Sequence, residues 1–338
     1  MALTDIWFLL IAVLWTGYLV LEGFDFGVGM LLPVVGKDAV DRRVTLQTIG
    51  PVWDGNEVWL LVAGGATFAA FPFWYASLFS GFYLALLVIL VALIVRGIAL
   101  EYRNKLDHAG WHARWDLAIV IGSAVPALLW GVALANIVRG VPLNADHDFT
   151  GNFFTLLNPY ALLGGLTTLV LFALHGAMFL ALKTHDDVRL RARRLVLPLG
   201  AVTVVLAAAF LGWTQSFDGS WTTWLLALGA AVALVAGLIA SRLGRDGWAF
   251  IGTAATIALA TATLFVTLYP DVLPSTTNPA YSLTTTNAAS TPYTLKIMTW
   301  VAVIFTPIVL LYQGYTYWVF RRRLSRDDIP QATVHEAA

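Results

Sequence analysis

The chain has 338 residues, of which 59% are hydrophobic and 12% are charged, and its formal net charge is zero. Because soluble proteins carry about a quarter of charged residues, this composition indicates a membrane protein. The neutral balance gives no general attraction to nucleic acid, so we predict no nucleic-acid partner. The absence of cysteine excludes disulfides, thiolate chemistry and cysteine-ligated metals.

Apolar segments of about 20 residues or more follow one another along the chain, and each is long enough to cross a bilayer as a helix. The nine segments cover residues 6–33, 52–71, 73–95, 115–139, 156–181, 195–215, 222–241, 247–269 and 296–320. Only helices and closed barrels satisfy their own backbone in lipid, so the sequence predicts an all-α polytopic membrane protein with nine transmembrane helices. We expect one membrane domain over residues 1–322 and a short cytoplasmic tail over 323–338 that frays.

Lysine and arginine are distributed very unevenly between the two sides of this nine-helix arrangement. The first, third, fifth and seventh connections and the C-terminal segment hold 18 of the 20 basic residues, whereas the other side holds only Arg139 and Lys296. The positive-inside rule therefore predicts a cytoplasmic C-terminus and an external N-terminus. The opening "MALTDIW" has no basic residue ahead of the first apolar run, so we expect a retained helix and not a cleaved signal peptide.

Four carboxylates interrupt the apolar segments. Glu22 and Asp25 lie in "LEGFDFGVGM", and Asp54 and Glu57 lie in "PVWDGNEVWLLVAGG". The members of each pair are three residues apart, which places them on one helix face, and the topology puts all four within about 15 Å of the cytoplasmic surface. An intramembrane carboxylate is costly, so proton transfer or cation binding is the functional interpretation. The alternative is an ion pair or a position at the interface, and Asp54 also gains from the dipole at a helix start.

Two further features concern the surroundings of these carboxylates. Gly23 and Gly27 form a GxxxG pattern, which predicts the close approach of another helix. Arg96 and Arg103 belong to the group Arg96, Glu101, Tyr102 and Arg103, which follows the third segment. This group could pair with the buried carboxylates or with lipid phosphates, but we favour a positive-inside cluster.

His175 is the only histidine within a predicted membrane segment. A haem needs axial ligands and a copper centre needs several ligands, so one histidine gives little support for a metal or cofactor site in this chain. We expect His175 to be a packed or hydrogen-bonded residue.

Several stretches resemble subunit II of the bacterial cytochrome bd quinol oxidase. They are "EGFDFGVGML" (22–31), "PVWDGNEVWLLVAGGATFAAFP" (51–72), "GNFFTLLNPYALLGG" (151–165), "LYPDVLPSTTNP" (268–279) and "TPYTLKIMTWVAVIFTPIVLLYQGYTYW" (291–318). They are collinear with the family pattern and span nearly the whole chain. One departure is Glu22, where members of the family often carry aspartate, and it preserves the charge.

This resemblance implies a heterodimer that oxidises quinol, either menaquinol or ubiquinol, and reduces dioxygen to water in the respiratory chain. The partner, subunit I, is expected to hold two b-type haems and a d-type haem, while this chain ligates none. The resemblance also implies that this chain folds as two four-helix bundles with a peripheral helix. It places the chain in the bacterial plasma membrane. Asp54 and Asp25 match acidic positions on a proton route from the cytoplasm, to which we add Glu22 and Glu57. Single-helix accessory subunits and membrane lipids are the other partners that the resemblance allows.

Two alternatives remain open on the residues alone. A proton- or cation-coupled secondary transporter would use the same acidic cluster, but it predicts an inverted repeat or broken helices in matched positions, which the sequence does not show. A purely structural partner subunit would require the acidic positions to be dispensable.

Overall fold

Eleven α-helices make up most of the computed structural model, which describes residues 2–329. They are α1 (Leu3–Val35), α2 (Ala39–Gln47), α3 (Trp53–Ala70), α4 (Pro72–Gly81), α5 (Tyr83–Tyr102), α6 (Ala109–Arg139), α7 (Pro159–Lys183), α8 (Asp186–Asp218), α9 (Trp221–Arg242), α10 (Asp246–Leu268) and α11 (Pro292–Val319). Two short strands, β1 (Asp271–Leu273) and β2 (Leu283–Thr284), pair antiparallel. The predicted all-α class is confirmed.

Eight of the helices within residues 2–329, all except α2, α3 and α4, are long and apolar enough to cross a membrane. The second predicted segment corresponds to α3, whose 18 residues begin with the polar stretch 54–57. The third predicted segment, 73–95, is wrong as one helix, because the chain breaks at Phe82 between α4 and α5. Phe149, from the connection between α6 and α7, packs so closely that a Cβ atom on Gly81 would lie 2.7 Å from it. Segment 73–95 is apolar throughout, so its sequence gives no sign of this break.

The GxxxG pattern of α1 is where α7 packs most closely. A Cβ atom on Gly27 would lie 2.7 Å from the backbone nitrogen of Gly176, and one on Gly23 would lie 2.8 Å from the ring of Phe172. Only residues without a side chain let two helix backbones approach to this distance. The predicted close approach of a second helix is confirmed.

Helix α1 lies at the centre of the packing, against α3, α6, α7 and α10. Helices α5 and α6 pack together on one side of it, and α7 to α10 pack together on the other. Helix α11 packs against α1 and α3, and Leu295 is its one buried residue. Trp7 of α1 fixes the N-terminal part of α11 by donating from Nε1 to Thr299 Oγ1 at 3.1 Å. Most of the surface of α11 is therefore free to contact lipid or another protein.

The longest predicted connection, 270–295, is an ordered cap next to the ends of α3 and α6. It contains β1 and β2, and its backbone pairs with the segment after α6, where Val141 donates to Pro274 O and Thr276 donates to Val141 O, both at 3.0 Å. Ser290 donates to Ala70 O at 2.8 Å, which ties the cap to the end of α3. These bonds satisfy backbone groups of an almost uncharged loop, which does not form a separate domain.

The segment after α11 is packed as far as Ile329, so the expected fraying is wrong for this part of the tail. Leu324 exchanges backbone hydrogen bonds with Lys183 (2.8 Å) and His185 (2.9 Å). Arg326 pairs with Asp41 of α2 at 2.7 Å and with Asp38 at 2.8 Å. The Asp41 backbone N–H, together with Arg326, holds the pKa of Asp38 below its usual range. The rest of the predicted tail, residues 330–338, lies outside the described residues.

Candidate functional site: a buried acidic cluster

Glu22 and Asp25 lie on one face of α1 and are fully buried. Arg96 of α5, which is 1% exposed, forms an ion pair with Glu22 through Nη1 and Oε1. The Arg96 guanidinium also lies over the ring of Phe26, 4.8 Å from its centroid. The favoured interpretation of Arg96 as part of a positive-inside cluster is therefore wrong, and pairing with a buried carboxylate is correct. Burying Glu22 and Arg96 as an ion pair lowers the free-energy cost of placing either charge in an apolar interior.

Asp25 has a different partner, because Asn56 of α3 donates from Nδ2 to Asp25 Oδ2 at 2.7 Å. Asn56 is itself buried, and its Oδ1 accepts hydrogen bonds from the Tyr317 hydroxyl at 2.7 Å and from Gln313 Nε2 at 3.3 Å. Asp25 is thus joined to α3 and α11 by neutral groups only, whereas Glu22 is joined to a cation. The sequence analysis missed Asn56, Gln313 and Tyr317, although Asn56 lies within the same "WDGNEVW" stretch.

The other two carboxylates belong to the first turns of α3. Asp54 is exposed in the first turn, and Glu57, one turn deeper, is half-buried. Glu57 lies near enough to Glu22 and Asp54 to interact electrostatically with both. The four predicted site residues therefore form one series, with Asp54 at its exposed end and Glu22 and Asp25 at its buried end. A helix start also favours a nearby negative charge through its dipole.

A polar cavity of about 280 Å³ adjoins the start of α3. It is lined by Arg43, Leu46, Gln47, Gly50, Trp53, Leu100, Glu101 and Asn104. Glu101 had been placed with the basic group after the third segment, and it now borders this cavity. The volume is large enough for several water molecules, because one water occupies about 30 Å³ in the liquid. Water can therefore reach the neighbourhood of Asp54.

Several buried polar atoms in the cluster have no hydrogen-bond partner among residues 2–329. They are Glu22 Oε2, Asp25 Oδ1, Arg96 Nε and Arg96 Nη2. Buried polar groups in native proteins are nearly always satisfied by protein or water. The cluster thus retains free donor and acceptor positions, which is what proton transfer through side chains and ordered water requires.

His175 is fully buried and uses both ring nitrogens. Nδ1 lies 2.7 Å from Thr253 Oγ1, and Nε2 lies 3.2 Å from Val20 O. Its ring stacks on Phe250 with centroids 4.5 Å apart. The expectation of a packed, hydrogen-bonded histidine is confirmed. With both nitrogens engaged, His175 does not fit the role of a haem ligand, and no group of three metal-binding side chains occurs among residues 2–329.

Arg103 has a structural partner at the C-terminal end of α5. Its guanidinium pairs with Asp116 of α6, which also accepts a bond from Arg42 Nη1 at 2.7 Å. This three-residue ion pair ties the connection after α1 to α5 and α6. Arg103 therefore does not contact the acidic cluster, in contrast to Arg96.

The fold is similar to that of a solved bd oxidase. Superposition on a chain from the bd oxidase of Geobacillus thermodenitrificans gives a TM-score of 0.77 at 17% identity, covering 94% of this chain and 97% of that chain. At this identity the likeness establishes the fold alone. The chain is a multi-pass helical membrane protein of the bd oxidase fold, with an acidic cluster buried within it.

Sequence comparison defines the family more closely. The family model described as cytochrome bd terminal oxidase subunit II matches residues 3–320. The chain is 40% identical to the cytochrome bd ubiquinol oxidase subunit 2 of Bacillus subtilis (strain 168), over 97% of this chain and 98% of that protein. It is 37% identical to the cytochrome bd-I ubiquinol oxidase subunit 2 of Escherichia coli (strain K12), over 97% of each. The chain therefore belongs to the cytochrome bd terminal oxidase subunit II family. The resemblance inferred from sequence is confirmed, and the transporter alternative is not favoured.

Proposed function

We propose that this chain pairs with a haem-bearing subunit I in the bacterial plasma membrane, and that the heterodimer oxidises quinol and reduces dioxygen to water. The relatives in Bacillus and Escherichia are subunits of ubiquinol oxidases, which supports ubiquinol as one substrate, with menaquinol as the other candidate. Two b-type haems and one d-type haem, placed in the partner, supply the electron transfer and oxygen chemistry. The lack of a free histidine nitrogen at His175 agrees with that placement.

The chain's own contribution is a proton route that begins at the cytoplasmic face. The observation that carries this proposal is the graded burial of the acidic series, from exposed Asp54 through half-buried Glu57 to fully buried Glu22 and Asp25. Asp54 exchanges protons with water, Glu57 passes them inward, and the buried pair delivers them toward the partner. Reduction of dioxygen consumes protons, and taking them from the cytoplasm builds a membrane voltage without a separate pump. Positioned carboxylates are among the side chains that carry out such transfer.

The topology that this route requires is nine membrane spans with an external N-terminus. We count α3 as the ninth span, because it joins a cytoplasmic connection to the outer cap despite its polar start. The basic residues of the connections after α1, α5, α7 and α9, and of the segment after α11, then all face the cytoplasm. In this arrangement α1, α3, α5 and α6 form one four-helix bundle, α7 to α10 form the second, and α11 is peripheral.

Subunit I is proposed to dock on the faces of α3, α5 and α11. These helices carry a dense set of exposed apolar side chains, including Leu61, Leu84, Leu90, Leu311 and Tyr312. The acidic cluster lies directly beneath this surface, because Asn56 and Gln313 join α3 to α11 there. A partner in this position would receive protons from Asp25 over a short distance. Lipids, and any single-helix accessory subunit, would cover the remaining apolar faces.

The Asp54→Asn substitution tests the route in the assembled complex. Asparagine keeps the shape of aspartate at a helix start but does not titrate. We expect complexes with normal haem content, haems that quinol still reduces, and oxygen consumption per haem lowered by about tenfold to a hundredfold, since removing a general acid or base typically costs this much or more.

Asp187→Asn is the matched control, because Asp187 is also an exposed acid in the first turn of a helix on the same side. Wild-type turnover in an assembled Asp54→Asn complex would remove Asp54 from the route. A protein that carries ion flux without any co-purifying haem would instead support a transporter.

A further inference from the structure

The two fully buried carboxylates are held in different ways. Glu22 is fixed by the Arg96 cation, while Asp25 receives a single hydrogen bond, from the neutral amide of Asn56 at 2.7 Å. The ion pair holds the Glu22 carboxylate in place more strongly than the amide holds Asp25, since charge-assisted bonds are about twice as strong as neutral ones. Asp25 is less tightly held, so it is the better suited of the two to take up and release a proton.

The orientation of the Asn56 amide is set by its oxygen. Oδ1 accepts from the Tyr317 hydroxyl at 2.7 Å and from Gln313 Nε2 at 3.3 Å, which occupies both lone pairs. The NH₂ end must then face Asp25. The Gln313 amide is oriented in turn, because its Oε1 accepts from Trp59 Nε1 at 2.7 Å. Every amide in this chain of bonds therefore has one permitted orientation.

Two of the orienting side chains come from α11, the helix with the fewest contacts to the rest of the chain. Gln313 and Tyr317 are half-buried, while most of α11 is exposed. The inner end of α11 meets α3 at these two residues, which bond to Asn56 and Trp59. A shift of α11 would therefore be transmitted first to Asn56 and from there to Asp25.

We infer that Asn56 is a positioning residue for Asp25, oriented from α11 by Tyr317 and Gln313. This inference rests on the proposed proton route and adds a positioning residue to it. The bond from Asn56 occupies Asp25 Oδ2 and leaves Oδ1 without a partner among the described residues. An incoming proton forms an O–H bond at Oδ1, and the same bond breaks when the proton moves on. No electron transfer is involved in this step.

The test uses two variants of the complete complex. Asn56→Leu has similar size but cannot donate to Asp25, and Tyr317→Phe removes a single hydroxyl and keeps the ring. We expect Asn56→Leu to lower kcat for oxygen reduction by about tenfold, since a hydrogen bond to a charged group contributes this much. Tyr317→Phe should lower it severalfold. The KM for quinol should not change in either variant, because the quinol site is in the partner.

Infrared difference spectra supply a second measurement, independent of turnover. The carboxyl C=O band that disappears in Asp25→Asn belongs to Asp25, and we expect it to move in both Asn56→Leu and Tyr317→Phe. Tyr160→Phe is the matched control, because Tyr160 is buried and its hydroxyl bonds to Thr214 at 2.9 Å, away from the acidic cluster. It should leave both the band and kcat unchanged.

The outcomes separate this inference from the proposed function. Slow turnover in Asp54→Asn and Asp25→Asn, with wild-type kcat and an unmoved Asp25 band in Tyr317→Phe, would overturn the role of Asn56 and leave the route intact. Wild-type turnover in both aspartate variants would overturn the route and this inference together. If Asn56→Leu does not assemble, Tyr317→Phe decides the question alone, because it leaves the Asn56 side chain in place.

Discussion

Arg96→Gln should destabilise the chain by about 3–5 kcal/mol, because it leaves Glu22 as a buried carboxylate without its cation. The structure places both partners out of contact with solvent, at 1% exposure for Arg96 and 0% for Glu22. The substitution also removes the guanidinium from the face of Phe26, where the centroid distance is 4.8 Å. Glutamine is too short to restore either contact.

The double variant Glu22→Gln/Arg96→Gln should be more stable than Arg96→Gln alone. It removes the unpaired charge, and neutral replacements of buried ion pairs are often well tolerated. We expect the two substitutions to be non-additive by about 2 kcal/mol, within the range for residues in direct contact. This coupling distinguishes loss of an ion pair from a general defect in packing at position 96.

The assay is the melting temperature of the purified complex, followed through haem absorbance and light scattering. At about 2 °C per kcal/mol for a chain of this size, Arg96→Gln should melt about 6–10 °C lower than the wild type. Arg322→Gln is the control, because its ion pair with Asp328 is exposed and such pairs contribute under about 1 kcal/mol. An Arg96→Gln complex that melts within about 2 °C of the wild type would refute the argument.

Two further predictions concern packing and topology. Gly27→Ala should cost at least about 3 kcal/mol and reduce the yield of assembled complex, because the added methyl group meets the backbone of α7, which cannot move aside. Gly212→Ala lies on α8, away from the proposed docking face, and no atom lies within 4 Å of the added Cβ. It should have no such effect, and equal yields of the two variants would contradict the packing argument. Reporter fusions after Lys183 should be active in the cytoplasm and fusions near Asp218 outside, and a reversal of this pair would disprove the nine-span topology.

The acidic cluster could be located from sequence because carboxylates are conspicuous within apolar segments. Glu22 and Asp25 interrupt a long hydrophobic run, and the three-residue spacing of each pair already placed its members on one face. The close contact at Gly27 was predictable for a similar reason, since small residues at a four-residue spacing have one common use in membranes. In both cases a local pattern carries the information.

The partners of these residues were not predictable, because they are set by contacts between distant helices. Nothing local shows that Arg96 reaches 74 positions back to Glu22 and not outward to solvent. The role of Asn56 could not be predicted from local sequence either, since it depends on Tyr317, which is 261 positions away. The break at Phe82 also escaped prediction, because hydropathy measures apolar content and not the direction of the chain.

The contacts of the segment after α11 have a consequence for biosynthesis. Arg326 pairs with Asp41 of α2, and Leu324 pairs with the backbone between α7 and α8, so the last part of the described chain bonds to some of its earlier parts. A ribosome makes these residues only after α1 to α11. Helix α2 and the connection between α7 and α8 therefore lack these contacts while the helices are being made, and they acquire them only when residues 324–326 emerge.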